Sequence, residues 1–151
     1  VDDIFELDLL EAVRPAFGSS AGKRHLASFL VRLIPDHQKY VEAFAGGGAV
    51  FFAKKPSPEE VINDRDREVA FAYRYLQGLT EAHIERLNKF DWVLRRGKWT
   101  AIKEGEIKPR NDDERLYFFY LLRGSFANSC RSFAGESRLG KSIKPNLNRL
   151  M

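Results

Sequence analysis

The apolar residues Leu26, Phe29, Leu30, Leu33 and Ile34 fall at i, i+3, i+4, i+7 and i+8, the stripe of one amphipathic helix face. Ser19, Ser20, Ala21 and Gly22 precede that segment and Pro35 ends it. The pattern then shortens to strand length. Tyr40-Val41-Glu42-Ala43-Phe44 reads as a strand, residues 45–48 as a small-residue loop, and Ala49, Val50, Phe51 and Phe52 as the opening of a helix. Residues 54–59, with Pro56 and Pro58, read as a surface connection in which Lys54 and Lys55 are solvated. Glu60, Val61 and Ile62 read as a second buried strand, ending at Asn63 and Asp64.

Beyond Asp64 the period becomes helical. Val69, Ala70, Tyr73 and Leu76 share one face, Gly78 breaks the pattern, and Thr80 is placed to cap a helix carrying Ile84 and Leu87. A weaker helix is expected over 92–104, with Trp92 and Trp99, seven apart, on one packed face. A stronger one is expected over 112–122, where Asp112, Asp113 and Glu114 suit a helix N-terminus. Periodicity fades after Arg123. The order helix, strand, glycine loop, helix, strand and then several helices is the opening of a parallel α/β unit followed by a helical insertion. Two strands do not complete a doubly wound sheet, so an incomplete piece is expected, divided into residues 15–78 and 79–151.

The 151 residues are 44% hydrophobic and 30% charged, enough for one compact core without disulfide or metal. Cys130 is the only cysteine, and with three scattered histidines it cannot make a tetrahedral zinc site, so no metal is expected and a reducing, cytoplasmic setting is. His25, His37 and His83 have no acid or serine placed as a triad partner and read as surface residues. The longest uncharged apolar run, 43–53, holds three glycines and is far short of the roughly 20 residues of a membrane span. The chain opens on Val1 and is acidic at Asp2, Asp3, Glu6, Asp8 and Glu11, unlike a signal peptide, and reads as a processed or excised piece.

The net charge is +4, and its distribution matters more than its sum. From residue 121 onward Arg123, Arg131, Arg138, Lys141, Lys144 and Arg149 face one acid, Glu136. A basic arm of this kind, with Phe126 and Phe133 among the charges, suits nucleic-acid phosphates with occasional base stacking. A solvated tail has the same composition. Cys130 lies in this arm, where neighbouring cations would acidify a thiol.

The glycines after the first strand let the backbone turn sharply and approach a ligand, and the following helix presents free N–H groups. Asp64 follows at about 20 residues, the spacing at which a carboxylate accepts hydrogen bonds from an adenosine ribose. A dinucleotide fingerprint would need Gly or Ala at position 51, where this chain has Phe51, so a nicotinamide cofactor fits poorly. S-adenosylmethionine fits better: its carboxylate suits the helix start, its ribose Asp64, and its adenine an aromatic such as Phe44. A glycine-rich turn with no ligand is the alternative.

Ala21-Gly22-Lys23, Ile34-Pro35-Asp36-His37, the run Tyr40-Val41-Glu42-Ala43-Phe44-Ala45-Gly46-Gly47-Gly48-Ala49-Val50-Phe51-Phe52 and Val61-Ile62-Asn63-Asp64 together resemble the Dam-like (D12 class) DNA adenine-N6 methyltransferases. The resemblance covers residues 15–75. It implies a partial Rossmann-like methyltransferase fold with a mostly helical insertion. It also implies S-adenosyl-L-methionine as cofactor, double-stranded DNA as partner, and DNA methylation, with a restriction-modification, a phage or a housekeeping system all open. Carried over by position, it assigns Lys23, Glu42, Phe44, Gly46, Gly48 and Asp64 to the cofactor. A fainter match over 117–133, around Tyr120-Leu121-Leu122-Arg123 and Asn128, resembles the start of the family's target-recognition region. It implies that Arg123, Asn128, Arg131, Arg138, Lys141 and Lys144 lie near DNA.

The family's Glu-Pro-Phe is Glu42-Ala43-Phe44 here, and the catalytic Asp-Pro-Pro-Tyr is absent, since no two of the six prolines are adjacent. In the family that motif holds the adenine amino group and stacks on the extruded base. It follows the recognition region. The resemblance therefore implies the N-terminal, cofactor-binding part of a site-specific adenine-N6 methyltransferase, inactive by itself. The other reading is a non-catalytic nucleic-acid-binding module whose basic C-terminal arm does the binding.

Overall fold

The computed structural model describes residues 15–20, 22–125 and 128–139, with only the backbone of Arg138. The acidic opening, Phe126, Lys141, Lys144 and Arg149 lie outside the described residues.

Helix α1 (Ala27–Leu33) leads into β1 (Lys39–Glu42), α2 (Ala49–Ala53) and β2 (Glu59–Ile62). The two strands pair in parallel with Val41 opposite Val61, and α2 is their crossover. Small side chains decide which face of α1 is buried. Ala27 is buried in one cluster with Ala49 and Val50, and Leu30, Val31 and Ile34 pack around them. This buried face is the expected stripe displaced by one residue, so that Leu26, Phe29 and Leu33 face outward. Among the described residues, the sheet is covered on one side only. Tyr40 packs toward the helices, while Val41 and Val61 are exposed on the other face, so β2 is not the buried strand that its composition suggests.

Lys54 corrects the expectation of a solvated pair. Its side chain is 3% exposed, ion-paired with Glu60 and set 4.4 Å over the Tyr40 ring. Burial is tolerated because charge and ring replace water on both sides of the ammonium. Lys55 is exposed as expected.

Helix α3 (Arg67–Gln77) starts at Asp66, whose side chain accepts from Glu68 N–H, and it buries Val69, Ala72 and Leu76. Helix α4 (Glu81–Asn88) is capped by Thr80, as expected, with His83 completing a capping box. The expected helix over 92–104 is shorter: β3 (Val93–Leu94) precedes α5 (Arg96–Lys103). Val93 pairs antiparallel with Arg138 in β4 (Ser137–Arg138), a long-range pairing to which local periodicity is blind. Trp92 therefore lies just before β3 and Trp99 in α5, not on one helix face. Trp92 packs edge-on against Tyr117 at 4.9 Å, and Trp99 lies in the core cluster with Leu121 and beside Phe133.

Helix α6 (Asp112–Arg123) has Asn111 as N-cap and buries Leu116 to Leu121 continuously, which makes it a central helix with apolar contacts all round. Helices α3, α4 and α5 all pack on it. One core cluster joins Phe17, Val69, Leu76 and Leu87 to Leu116, Phe119 and Tyr120, and a second joins Leu94, Trp99 and Ile102 to Tyr117, Phe118 and Leu121. Asp113 extends the N-terminal role expected of its cluster. It pairs with Arg86 at 2.5 Å and accepts from Tyr75 Oη, tying α6 to α4 and α3. No described helix is long and apolar enough to cross a membrane, and no three metal-ligating side chains cluster among the described residues.

Candidate functional site

The turn after β1 is held from four directions. Ala45 N–H donates to Asn63 O at 3.0 Å and Asn63 N–H to Glu42 O at 2.9 Å, carrying the parallel ladder past the strand ends. Asn63 Nδ2 donates to Ala43 O at 3.0 Å. Gly46 N–H donates to Asp64 Oδ2 at 2.8 Å. Tyr73 Oη, from α3, donates to Gly46 O at 2.8 Å. Burial, then the Glu42 carboxylate, pushes the Tyr73 phenol far above its ordinary value, so it is a fixed donor.

Two glycines here have no substitute. Gly46 and Gly48 have φ of +52° and +73°, in the left-handed region. A Cβ on Gly48 would lie 2.8 Å from Phe52 and from Tyr73 Oη.

A cavity of about 630 Å³ opens between this turn and the residues before α1. Phe44, Gly46 and Asp64 form one wall and Ser19, Lys23 and His25 the other. Phe44 stands at its rim, 78% exposed. Asp64 Oδ1 accepts Asp66 N–H at 2.9 Å, so each carboxylate oxygen takes one backbone donor and keeps a lone pair. That suits two adjacent hydroxyls. Lys23 Nζ donates to Phe44 O at 2.9 Å and stands 3.1 Å from Glu42, so it clamps the turn as well as lining the cavity.

Of the six residues expected at the cofactor, Lys23, Phe44, Gly46 and Asp64 line this cavity. Glu42 lies behind it, buried, accepting from Tyr40 Oη at 3.2 Å, and Gly48 shapes the turn. Helix α2 has five residues, so it supplies little of the aligned dipole expected at a helix start.

Among the residues expected near DNA, Arg131 is exposed. Arg123 points inward, its side chain 11% exposed, donating to Gly18 O at 3.1 Å. Asn128 lines the cavity. The backbone of Arg138 lies in β4. Phe133, expected to stack on bases, is set against Trp99 and under Arg96. Burial raises the Cys130 thiol above its ordinary value and outweighs the acidifying pull of neighbouring cations such as Arg123. Tyr73, Arg123 and Asn128 are the site residues that sequence reasoning placed elsewhere. Only Tyr73 carried a signal, as a tyrosine on a packed face whose hydroxyl needs a partner.

The residue pattern of the D12 class N6 adenine-specific DNA methyltransferases matches residues 21–137. The chain is similar to the type II methyltransferase M1.LlaDCHI of Lactococcus lactis subsp. cremoris, at 31% identity over 122 residues, taking in 76% of this chain and 42% of that protein. It is also similar to the DNA N-6-adenine-methyltransferase of Escherichia phage P1, at 28% identity over 135 residues, 86% of this chain and 18% of the phage protein. The chain thus spans less than half the length of either relative.

Proposed function

The chain belongs to the D12 class N6 adenine-specific DNA methyltransferase family, and on that premise we propose that its 630 Å³ cavity binds S-adenosylmethionine as methyl donor for adenine N6 in DNA. The observation that carries this reading is the joint position of Asp64, Gly46 and Phe44 on one wall. Asp64 is oriented by two backbone N–H groups toward ribose hydroxyls, and Phe44, an aromatic otherwise left in water, would stack on adenine. Lys23, held by Phe44 O and Glu42, keeps the rim at a fixed distance from the opposite wall.

The bound donor would supply an activated methyl group on sulfur. This chain's residues would orient it and exclude water around it. Attack by adenine N6 would use the family's Asp-Pro-Pro-Tyr, which this sequence lacks, so the chain alone is expected to bind donor without transferring methyl. We read β1 and β2 as part of a larger Rossmann-like sheet: the exposed Val41 and Val61 are what a parallel sheet covered on one face leaves for further elements. Arg131 and the basic residues after it would meet DNA phosphates.

Isothermal titration with S-adenosylhomocysteine tests the donor site. Saturable binding is expected. A chain that melts cooperatively yet gives no heat at millimolar ligand would overturn the donor site and leave the nucleic-acid-binding module. That module would bind duplex DNA in a salt-dependent way with no response to the ligand.

A further inference from the structure

Resting on the donor-site reading, we propose that Asn128, carried by the segment that leaves α6 toward the recognition region, is a donor-pocket residue, and that Arg123 is the positioning residue that seats it. Asn128 lines the same cavity as Asp64 and lies against Gly18. The contact is so close that a Cβ on Gly18 would lie 2.1 Å from Asn128 Oδ1, which leaves room for no side chain there. Asn128 has φ +54°, a left-handed conformation that costs asparagine less than most residues and that turns the side chain back toward residue 18. Its N–H donates to Ser125 O at 3.0 Å, and Cys130 N–H donates to Ser125 Oγ at 2.6 Å, so buried Ser125 pins both sides of this turn.

Arg123 completes the frame. Its guanidinium lies 4.4 Å from the Phe119 ring centroid and 5.1 Å from that of Phe17, donates to Gly18 O, and stands 3.5 Å from Asp66. Asp66 N–H in turn donates to Asp64 Oδ1. One side chain thereby links the end of α6 to both walls of the cavity. A carboxamide on such a frame offers a donor and an acceptor to a polar edge of an S-adenosyl ligand. Ligand that engages Asn128 would also hold residues 128–130 against Ser125, so donor binding and the order of the recognition-side segment are linked.

Asn128→Gly is the cleanest variant, because glycine keeps the left-handed backbone and removes only the amide. Titration of S-adenosylhomocysteine into the 151-residue chain should show affinity lowered about 10-fold in Asn128→Gly with the melting temperature nearly unchanged. In the wild type, the ligand should slow hydrogen exchange at Asn128 N–H at least several-fold. Arg123→Lys keeps the charge but not the planar fork, and should lose that protection while the α6 amides stay protected. Wild-type binding with Asn128→Gly equal within twofold would overturn the proposal and leave the donor site standing. A fall in affinity for a duplex oligonucleotide alone would likewise overturn it and assign Asn128 to DNA. If the folded wild type binds no S-adenosylhomocysteine, the donor-site reading fails, and this inference with it.

Discussion

Asp64 and Gly46 are joined across the glycine turn: the Gly46 N–H donates to Asp64 Oδ2 at 2.8 Å, from a backbone at φ +52°. The acid that follows β2 thus shapes the loop that follows β1. A carboxylate is the residue for both tasks, since it accepts at four lone-pair positions and the two backbone donors use only half of them.

Replacing Asp64 therefore has two separable effects. Asp64→Ala removes both acceptors and should cost about 1.5–3 kcal/mol of stability, the value of hydrogen bonds to a charged group. It should also abolish measurable S-adenosylhomocysteine binding. Asp64→Asn keeps one acceptor for Gly46 N–H, so it should lose less stability and still bind much more weakly. Urea unfolding and titration calorimetry on both variants separate the two losses. Equal affinity in wild type and Asp64→Asn would remove the carboxylate from the binding site.

Gly48 and Gly105 form a matched pair of left-handed glycines, at φ +73° and +76°. A Cβ at Gly105 would meet nothing within 4 Å, whereas at Gly48 it would press on Phe52 and Tyr73. Gly105→Ala should therefore cost only the backbone term, about 1 kcal/mol. Gly48→Ala should cost that plus the repacking of two aromatic side chains, about 2–4 kcal/mol in all. Comparison of their denaturation midpoints checks this, and equal losses would show that the packing around Gly48 yields freely.

What was legible in the sequence is what local chemistry encodes. Thr80 and the acids beginning at Asp112 mark helix starts because caps act within one turn, and the spacing from Gly46 to Asp64 reports two strand ends brought together by a crossover. The buried face of α1 was missed by one residue because Leu26 and Phe29 are as apolar as Leu30 and Val31. The buried face is the one that puts small Ala27 in a cluster with Ala49 and Val50, a size match that hydrophobicity does not encode. Lys54 reads as solvated until β2 brings Glu60 to it. The bond from Arg123 to Gly18 spans 105 residues, and the pairing of β3 with β4 reaches across α5 and α6, so no local pattern carries either.

Tyr73→Phe should loosen the turn without emptying the core, because the ring keeps its tilted contact with Phe17 at 5.2 Å. Only the bond to Gly46 O is lost. A stability loss of about 1 kcal/mol is expected, as for one neutral hydrogen bond. S-adenosylhomocysteine affinity should fall by several-fold, since Gly46 lines the cavity. An unchanged affinity with the stability loss present would confine Tyr73 to folding.

The Lys54–Glu60 pair sets a pH dependence whose sign is fixed. Burial disfavours the charged Glu60 carboxylate, but hydrogen bonds from Lys54 Nζ, Ser57 N–H and Ser57 Oγ outweigh it and hold the carboxyl below its ordinary value of 4.5. A carboxyl acidified by folding contributes stability that is fully present above its unfolded pKa and is lost as pH falls through its folded one. Glu60→Gln removes the charge, keeps an acceptor for Ser57 and leaves the Lys54 ammonium, 3% exposed, facing a neutral amide. At pH 7 the variant should be less stable by about 1–2 kcal/mol, allowing for the partial exposure of Glu60. On acidification the wild type takes up the proton that the variant never needed. The difference between the two should therefore shrink below about pH 4.5 and vanish below the folded pKa. Urea unfolding of both proteins between pH 7 and 3 measures it. A difference that stays constant across that range would show that the pair contributes through packing of the lysine stem on Tyr40 and not through charge.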